Sequence, residues 1–256
     1  MFSVELCFEV YRDTSMGDVE RAINACLDCL RYSGQIIGRE LPVVMDGGQF
    51  TAKVICPEQD SLSPKHHSPQ VQRAMNQLAD AGLLQPRVKV MGQDMNSDLT
   101  APEQSSWHLL YTTHLHVCSP IRCGETFLPV PLYRLPAVAN GDQKQLIKWQ
   151  EDWSACDQLQ MNGSILEHAA LKEMGEPGTR LFRRGWDLCR RLQVVSKIPT
   201  YLYLYRVGGE SLAEEQQRRC PVCDGDWALD EPIHDIFDFK CDQCQLVSNI
   251  SWDFKK

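Results

Sequence analysis

The stretch 220–244, CPVCDGDWALDEPIHDIFDFKCDQC, decides how the C-terminal part of the chain folds. It holds two Cys-x-x-Cys pairs, Cys220 with Cys223 and Cys241 with Cys244, and 17 residues lie between the pairs. Two such pairs at this spacing are typical of turns that close tetrahedrally around one Zn²⁺. Two disulfides or four unconnected thiols are the less favoured alternative, because they would not require the doubled motif. The sequence therefore predicts one zinc ion bound by these four cysteines.

Four protein ligands leave no coordination position open for water or substrate, so the expected zinc site is structural. Residues 211–256 are too few to bury a core of their own, and metal binding would supply the missing folding free energy. Short apolar runs beside the cysteines predict a small three-stranded zinc ribbon. We expect its aromatic side chains to pack the thin sheet, and stacking on nucleic-acid bases is the alternative.

The composition is that of an ordinary globular protein. The chain has 256 residues, of which 43% are hydrophobic, and a formal net charge of −8. No apolar run approaches the ~20 residues needed to cross a bilayer, and the N-terminal residues alternate in polarity instead of forming a signal peptide. We therefore expect a cytoplasmic protein with no membrane partner. Of the twelve cysteines, those outside the two pairs are expected to be mostly free thiols.

Apolar periodicity predicts the α+β fold class, with a mixed helix and strand main domain followed by the ribbon. Apolar residues at helical spacing predict helices at 13–31, 69–81, 144–161, 165–174 and 179–195. Alternating or β-rich segments predict strands at 2–10, 41–45, 50–55, 88–91, 107–118 and 199–207. The polar segment GGESLAEEQQRR at 208–219 is the expected linker. We thus expect a main domain at 1–207, itself divisible near residue 100 and able to fold alone, and a ribbon domain at 208–256.

Several phrases of the second half carry a family resemblance. They are SPIRCGETFLPVPLYRLP at 119–136, CDQLQMNG at 156–163, IPTYLYLYR at 198–206, and the CPVC and CDQC pairs. Residues 105–256 resemble a family of bacterial proteins described as Zn-ribbon-containing and as candidates for nucleic-acid binding. The resemblance implies a zinc ribbon. By analogy with other ribbons it also implies DNA or RNA as a partner.

The charge distribution separates two functional hypotheses. Residues 211–256 contain ten acidic and five basic residues, a net charge of −5, which disfavours contact with a polyanion and favours a basic partner protein. Residues 172–206 contain eight basic and three acidic residues, a net charge of +5. Helical spacing would place an arginine stripe on one face, formed by Arg180, Arg183, Arg184 and Arg191. The stripe could bind phosphates of DNA or RNA, although a solvated helix face is the simpler interpretation.

A second group of metal-ligand residues follows the predicted strand at 107–118. His114, His116 and Cys118 alternate there, and Cys123 lies just beyond a turn, so these residues could converge on a second metal ion. A core-facing strand with buried thiols explains the pattern better. His66 and His67 are interpreted as loop residues. No nucleophile arrangement or phosphate-binding loop is evident, so the sequence predicts a non-enzymatic protein that acts in nucleic-acid binding or as an adaptor or inhibitor of a basic protein.

Overall fold

The computed structural model describes residues 1–255. Lys256, the last residue of the expected ribbon, lies outside them. The chain forms two compact units. Unit 1 comprises residues 1–101, 117–119 and 128–147, and unit 2 comprises 102–116, 120–127 and the chain from Lys148 onward. Both units combine helices with strands, which confirms the α+β class.

Unit 1 has a ferredoxin-like β-α-β-β-α-β arrangement. Its elements are β1 (Phe2–Glu9), α1 (Met16–Ser33), β2 (Val43–Asp46), β3 (Gln49–Cys56), α2 (Pro69–Asp80) and β4 (Arg87–Gln93). The antiparallel sheet has the strand order β2-β3-β1-β4. The alternation that predicted β1 buries Val4, Leu6 and Phe8 on one face, where they pack in a core with Ile23 and Leu27 of α1.

Close packing at the end of α1 joins residues 128–147 to unit 1. The helix ends at Gly34, whose φ of +83° is left-handed. A Cβ on Gly34 would lie 2.4 Å from Cβ of Leu132. Glu58 accepts hydrogen bonds from the Tyr133 hydroxyl and from Arg134. These two bonds fix the turn after Leu132 to the Glu58 carboxylate.

Unit 2 is built on one six-stranded sheet with the strand order β6-β5-β7-β10-β9-β8. Its strands are β5 (His108–Leu110), β6 (Ile121–Cys123), β7 (Thr200–Leu204), β8 (Ala228–Ile233), β9 (Phe237–Cys241) and β10 (Leu246–Ser248). Its helices are α3 (Lys144–Asn162, which begins in the last segment of unit 1), α4 (Glu167–Gly175), α5 (Arg180–Ser196) and α6 (Leu212–Gln216). β7 runs parallel to β5 and β10, and the other pairs are antiparallel.

The predicted three-stranded ribbon, β8 to β10, is therefore the outer half of a larger sheet. Leu246 pairs with Leu202 and Val247 with Tyr203, and all residues of β7 and β10 are buried. The Tyr203 hydroxyl also donates to Oδ1 of Asn249 at 2.9 Å. The expected boundary at 207/208 thus separates strands that share one sheet. Independent folding of 1–207 stays a prediction from the sequence, and the buried pairing of β7 with β10 argues against it.

A close contact at Gly124 gives a prediction about the stability of unit 2. A Cβ on Gly124 would lie 2.0 Å from Cε2 of Trp107, and the Gly124 N–H donates to the Trp107 carbonyl at 2.9 Å. We expect Gly124→Ala to lower the free energy of unfolding by about 3 kcal/mol, because the half-buried Trp107 ring would have to leave its edge-to-face contact with Tyr201. Urea denaturation followed by circular dichroism measures this.

Gly17→Ala is the matched control, because the nearest atom to its Cβ would be a terminal Arg21 nitrogen at 3.4 Å. Gly17 lies in α1, where alanine has the better helix propensity. A Gly124→Ala protein that unfolds at the same urea concentration as Gly17→Ala would show that the Trp107 contact is not rigid.

Candidate metal centre

The four cysteines of the paired motif converge. Cys220 and Cys223 precede β8, Cys241 ends β9, and Cys244 lies in the turn before β10. Their four Sγ atoms lie within 4.8 Å of one another, and Sγ of Cys223 is 3.6 Å from Sγ of Cys241. A metal with M–S bonds of about 2.3 Å in tetrahedral geometry needs S···S distances of about 3.8 Å. The four sulfurs therefore fit one tetrahedral ion.

Both cysteine turns have the same backbone conformation after their second cysteine. The residue after the second cysteine is left-handed in each, with φ of 56° at Asp224 and 54° at Gln245. In the first turn the Cys220 N–H donates to the Gly225 carbonyl at 2.9 Å. In the second turn the Cys244 N–H donates to Sγ of Cys241 at 3.4 Å. Each turn therefore directs two sulfurs to one point without help from the other.

The cysteines differ in acidity. A hydrogen bond from the Gly225 backbone is the main cause that lowers the pKa of Cys223 to about 7. Burial raises the pKa of Cys241 and of Cys244 above the ordinary thiol range. A bound cation would favour the thiolate form of these ligands, so metal binding would release protons.

The surroundings fix the two turns in unit 2. Nε1 of Trp186, on α5, donates to the Cys244 carbonyl at 2.9 Å. Nε1 of Trp227 donates to the Arg218 carbonyl at 2.8 Å, and the Arg218 guanidinium lies 4.4 Å from the ring centre of Phe239. The contact of Trp186 with Cys244 was not foreseen, because no local pattern links residues so far apart in the sequence.

The ribbon aromatics mostly form its core. Trp227, Phe237 and Phe239 are at most 2% exposed, which confirms that they pack the sheet. Trp252 is 39% exposed, and Nζ of Lys255 lies 5.3 Å from its ring centre. Base stacking on the three buried rings is therefore sterically excluded.

The predicted arginine stripe is only partly free. Arg180 and Arg183 are exposed and form no ion pair with any residue among 1–255. Arg184 forms an ion pair with Asp152 of α3. Arg191 lies 2.8 Å from Asp187, one turn earlier on α5. Two of the four cations therefore have carboxylate partners.

The strand predicted through His114 and His116 is wrong. β5 ends at Leu110, and the chain turns: the His116 N–H donates to the Thr113 carbonyl at 3.2 Å. Asp157 of α3 stabilises this turn, since its Oδ2 accepts the His114 N–H at 2.7 Å and lies 3.0 Å from Nδ1 of the same residue. The alternation of histidines therefore does not place them on one side of a strand.

The two cysteines of the predicted second site, Cys118 and Cys123, are core residues. Both are buried, and the Cys123 thiol donates to Glu125 at 3.0 Å. Within residues 1–255, the cysteines of the paired motif are the only group of three or more His, Cys, Asp or Glu residues whose ligand atoms converge. Cys118 belongs to unit 1 and the other three residues of the predicted site to unit 2, where His114, His116 and Cys123 do not converge.

Across the part of the chain that the structure describes, no helix combines the length and apolar character that a membrane span requires.

Comparison with protein families gives three consecutive matches. Residues 1–92 match a domain of unknown function (DUF8589), residues 102–205 a second (DUF2310), and residues 209–254 a third (DUF8594).

Two relatives from Haemophilus influenzae, each named "Uncharacterized protein", are similar in sequence. One is 46% identical over 260 residues, which cover 99% of this chain and 100% of the relative. The other is 49% identical over 174 residues, 68% of this chain and 86% of the relative.

Two solved structures are distantly similar to this chain. A candidate antibiotic biosynthesis monooxygenase from Deinococcus radiodurans matches with a TM-score of 0.27 and 11% identity, over 39% of this chain and 99% of that one. A domain of unknown function (DUF77) from Bacillus cereus matches with a TM-score of 0.18 and 18% identity, over 41% of this chain and 88% of that one. Similarity this low supports no inference about activity.

Proposed function

The chain belongs to the bacterial family of these Haemophilus influenzae proteins, and from that premise we propose that it is a zinc-binding, non-enzymatic binding protein. The observation that supports this function is the convergence of four sulfurs within 4.8 Å. Four thiolates in tetrahedral geometry suit Zn²⁺ or iron, and Zn²⁺ is the usual ion of paired Cys-x-x-Cys turns. Four protein ligands complete the coordination, so the ion has a structural role.

The structural role is to join the two cysteine turns. Cys220 and Cys223 hold the chain before β8, whereas Cys241 and Cys244 hold the connection from β9 to β10. A shared ion would therefore join the start of β8, the end of β9 and the start of β10 at one end of the sheet in unit 2. Because the ion supplies folding free energy and offers no open position, we infer that the protein acts by binding a partner.

We propose that this partner is a basic protein. β8 is the outer strand of the sheet, and Asp230, Glu231 and Asp235 are exposed on or beside it. None of these three forms an ion pair within residues 1–255. A zinc ion with four thiolates adds a further formal charge of about −2. Charge complementarity therefore favours a cationic surface on the partner.

DNA or RNA is the second candidate partner, supported by Arg180 and Arg183, which are exposed and form no ion pair within residues 1–255. The ion pairs of Arg184 and Arg191 weaken this candidate, since a phosphate would have to compete with Asp152 and Asp187.

We also propose that the protein acts in the cytoplasm. All twelve cysteines lie within residues 1–255 and none of them forms a disulfide, although several, such as Cys29 and Cys156, are half-buried. An oxidising compartment would favour disulfides over metal binding.

Fluorescence anisotropy across a salt series distinguishes the two partners. We expect a labelled oligo-arginine peptide to bind, and the double variant Asp230→Asn, Glu231→Gln to weaken that binding about fivefold, because it removes two exposed charges. The matched variant Arg180→Ala, Arg183→Ala should leave peptide binding unchanged.

The same two double variants also test whether the protein binds nucleic acid. If a labelled DNA duplex or single-stranded RNA binds instead, and the arginine variant lowers the slope of log affinity against log salt by about two, the partner is nucleic acid. Binding of neither probe would refute both partners and leave the metal site unaffected.

A further inference from the structure

A polar cavity of about 280 Å³ lies within unit 1. Residues that line it include Lys65, His67, Ser68, Tyr133, Asp142 and Gln143. These six come from the loop before α2 and from residues 128–147, and Ser33 at the end of α1 also lines the cavity, so three parts of the sequence form its walls. The proposed function does not use this cavity.

Gln143 carries an unpaired acceptor in the wall. The residue is only 2% exposed, and its Oε1 has no hydrogen-bond partner among the described residues. Its Nε2 donates to the carbonyls of Leu132 at 3.2 Å, Leu135 at 3.0 Å and Pro136 at 3.3 Å. These three acceptors fix the orientation of the amide, because a flipped amide would place an oxygen against carbonyls. A buried unpaired oxygen is costly unless a ligand or water donates to it.

His67 contributes a second unpaired atom. Its Nε2 is buried and has no hydrogen-bond partner within residues 1–255. Burial is the main cause that lowers the pKa of His67, which keeps the ring neutral. The Leu62 backbone and the Gln72 side chain both lie within hydrogen-bonding reach of the ring, and because Nε2 is the unpaired nitrogen we assign the proton to Nδ1 and an acceptor role to Nε2.

The charges of the wall favour a cationic ligand. Nζ of Lys65 lies 2.6 Å from Asp60, which neutralises it. Asp142 lines the cavity and forms no ion pair with any described residue, although its Oδ1 accepts the Lys144 N–H at 3.0 Å. The ring of Tyr133 adds an aromatic surface, to which cations are attracted.

The start of α2 offers little to an anion. Ser68, the residue before the helix, accepts the Val71 N–H at 3.3 Å through its hydroxyl oxygen. The next residue, Pro69, has no N–H to donate. The helix therefore lacks most of the free donors that usually bind an anion at this position.

We propose that this cavity binds a small primary ammonium compound, whose N–H groups donate to Gln143 Oε1, His67 Nε2 and the Asp142 carboxylate. The three donors of an alkylammonium match these three acceptors in number.

Titration of the full chain with ethanolamine, followed by NMR of ¹⁵N-labelled protein, tests the proposal. We expect saturable shifts of the Gln143 side-chain amide and the His67 ring, with a Kd of about 1 mM because the probe is so small. Asp142→Asn should raise that Kd about tenfold, since it removes the charge but keeps an oxygen for the Lys144 N–H. Asp28→Asn, an exposed site on α1, is the matched control and should leave the Kd unchanged.

Glycerol and inorganic phosphate serve as comparison probes. Binding of glycerol as tight as that of ethanolamine would show that the ammonium charge is not recognised and would overturn the proposal. Saturable binding of phosphate at the same residues would identify an anion site instead. Absence of saturable ethanolamine binding, or an unchanged Kd in Asp142→Asn, would equally refute it.

Discussion

Replacing Cys241 with serine should remove the metal ion and unfold the outer strands of unit 2. A serine hydroxyl is a poor zinc ligand, and three thiolates leave the ion open to exchange. Structural zinc contributes about 10–16 kcal/mol to the folding of small zinc domains, which matches or exceeds the 5–15 kcal/mol of a typical domain. Metal analysis should find about one Zn²⁺ per wild-type chain and almost none in the variant. Hydrogen exchange should show amides of β9 and β10 becoming unprotected.

Cys189→Ser is the matched control. Cys189 is a buried thiol of α5 in the same unit, but it lies outside the metal-binding group. Its replacement should cost about 1–3 kcal/mol for burying a hydroxyl and should leave the zinc content unchanged. Full zinc content in Cys241→Ser, or an equal loss in Cys189→Ser, would contradict the assignment of the ligands.

Truncation after Val207 should abolish cooperative folding of unit 2. The cut removes β10, whose Leu246 and Val247 are fully buried against β7. Burial of each such side chain contributes about 1.5–3 kcal/mol. The cut also leaves the Tyr203 hydroxyl and the Trp186 indole N–H without their acceptors on Asn249 and Cys244. We expect the near-ultraviolet circular dichroism of the aromatic residues of unit 2 to be lost.

Truncation after Ser251 is the control, because it leaves every strand of the sheet in place. That protein should retain a cooperative thermal transition. If the chain that ends at Val207 melts as cooperatively as the chain that ends at Ser251, then 1–207 is an independent domain, as the sequence alone suggests, and the shared sheet contributes little.

Local patterns predicted much of this structure correctly. The spacing of the cysteine pairs identified the residues that converge, since a Cys-x-x-Cys turn is a property of a few neighbouring residues. Alternation at Val4, Leu6 and Phe8 identified the buried face of β1 for the same reason.

Local patterns of this kind do not predict which distant strands pair. Nothing in the residues of β7 indicates that β10, more than forty residues later, lies beside it in parallel. The histidine alternation at His114 and His116 was misleading because Asp157, a distant residue, accepts the His114 N–H and stabilises a turn. The unpaired oxygen of Gln143 is equally invisible in the sequence, because only the folded chain shows which atoms lack partners.

X-ray absorption spectroscopy at the zinc edge of the purified full chain tests the metal centre most directly. The arrangement of Cys220, Cys223, Cys241 and Cys244 predicts four sulfur neighbours at about 2.3 Å and no nitrogen or oxygen ligand. A zinc ion with fewer than four sulfurs, or a protein that contains no zinc and has these cysteines in disulfides, would contradict the assignment.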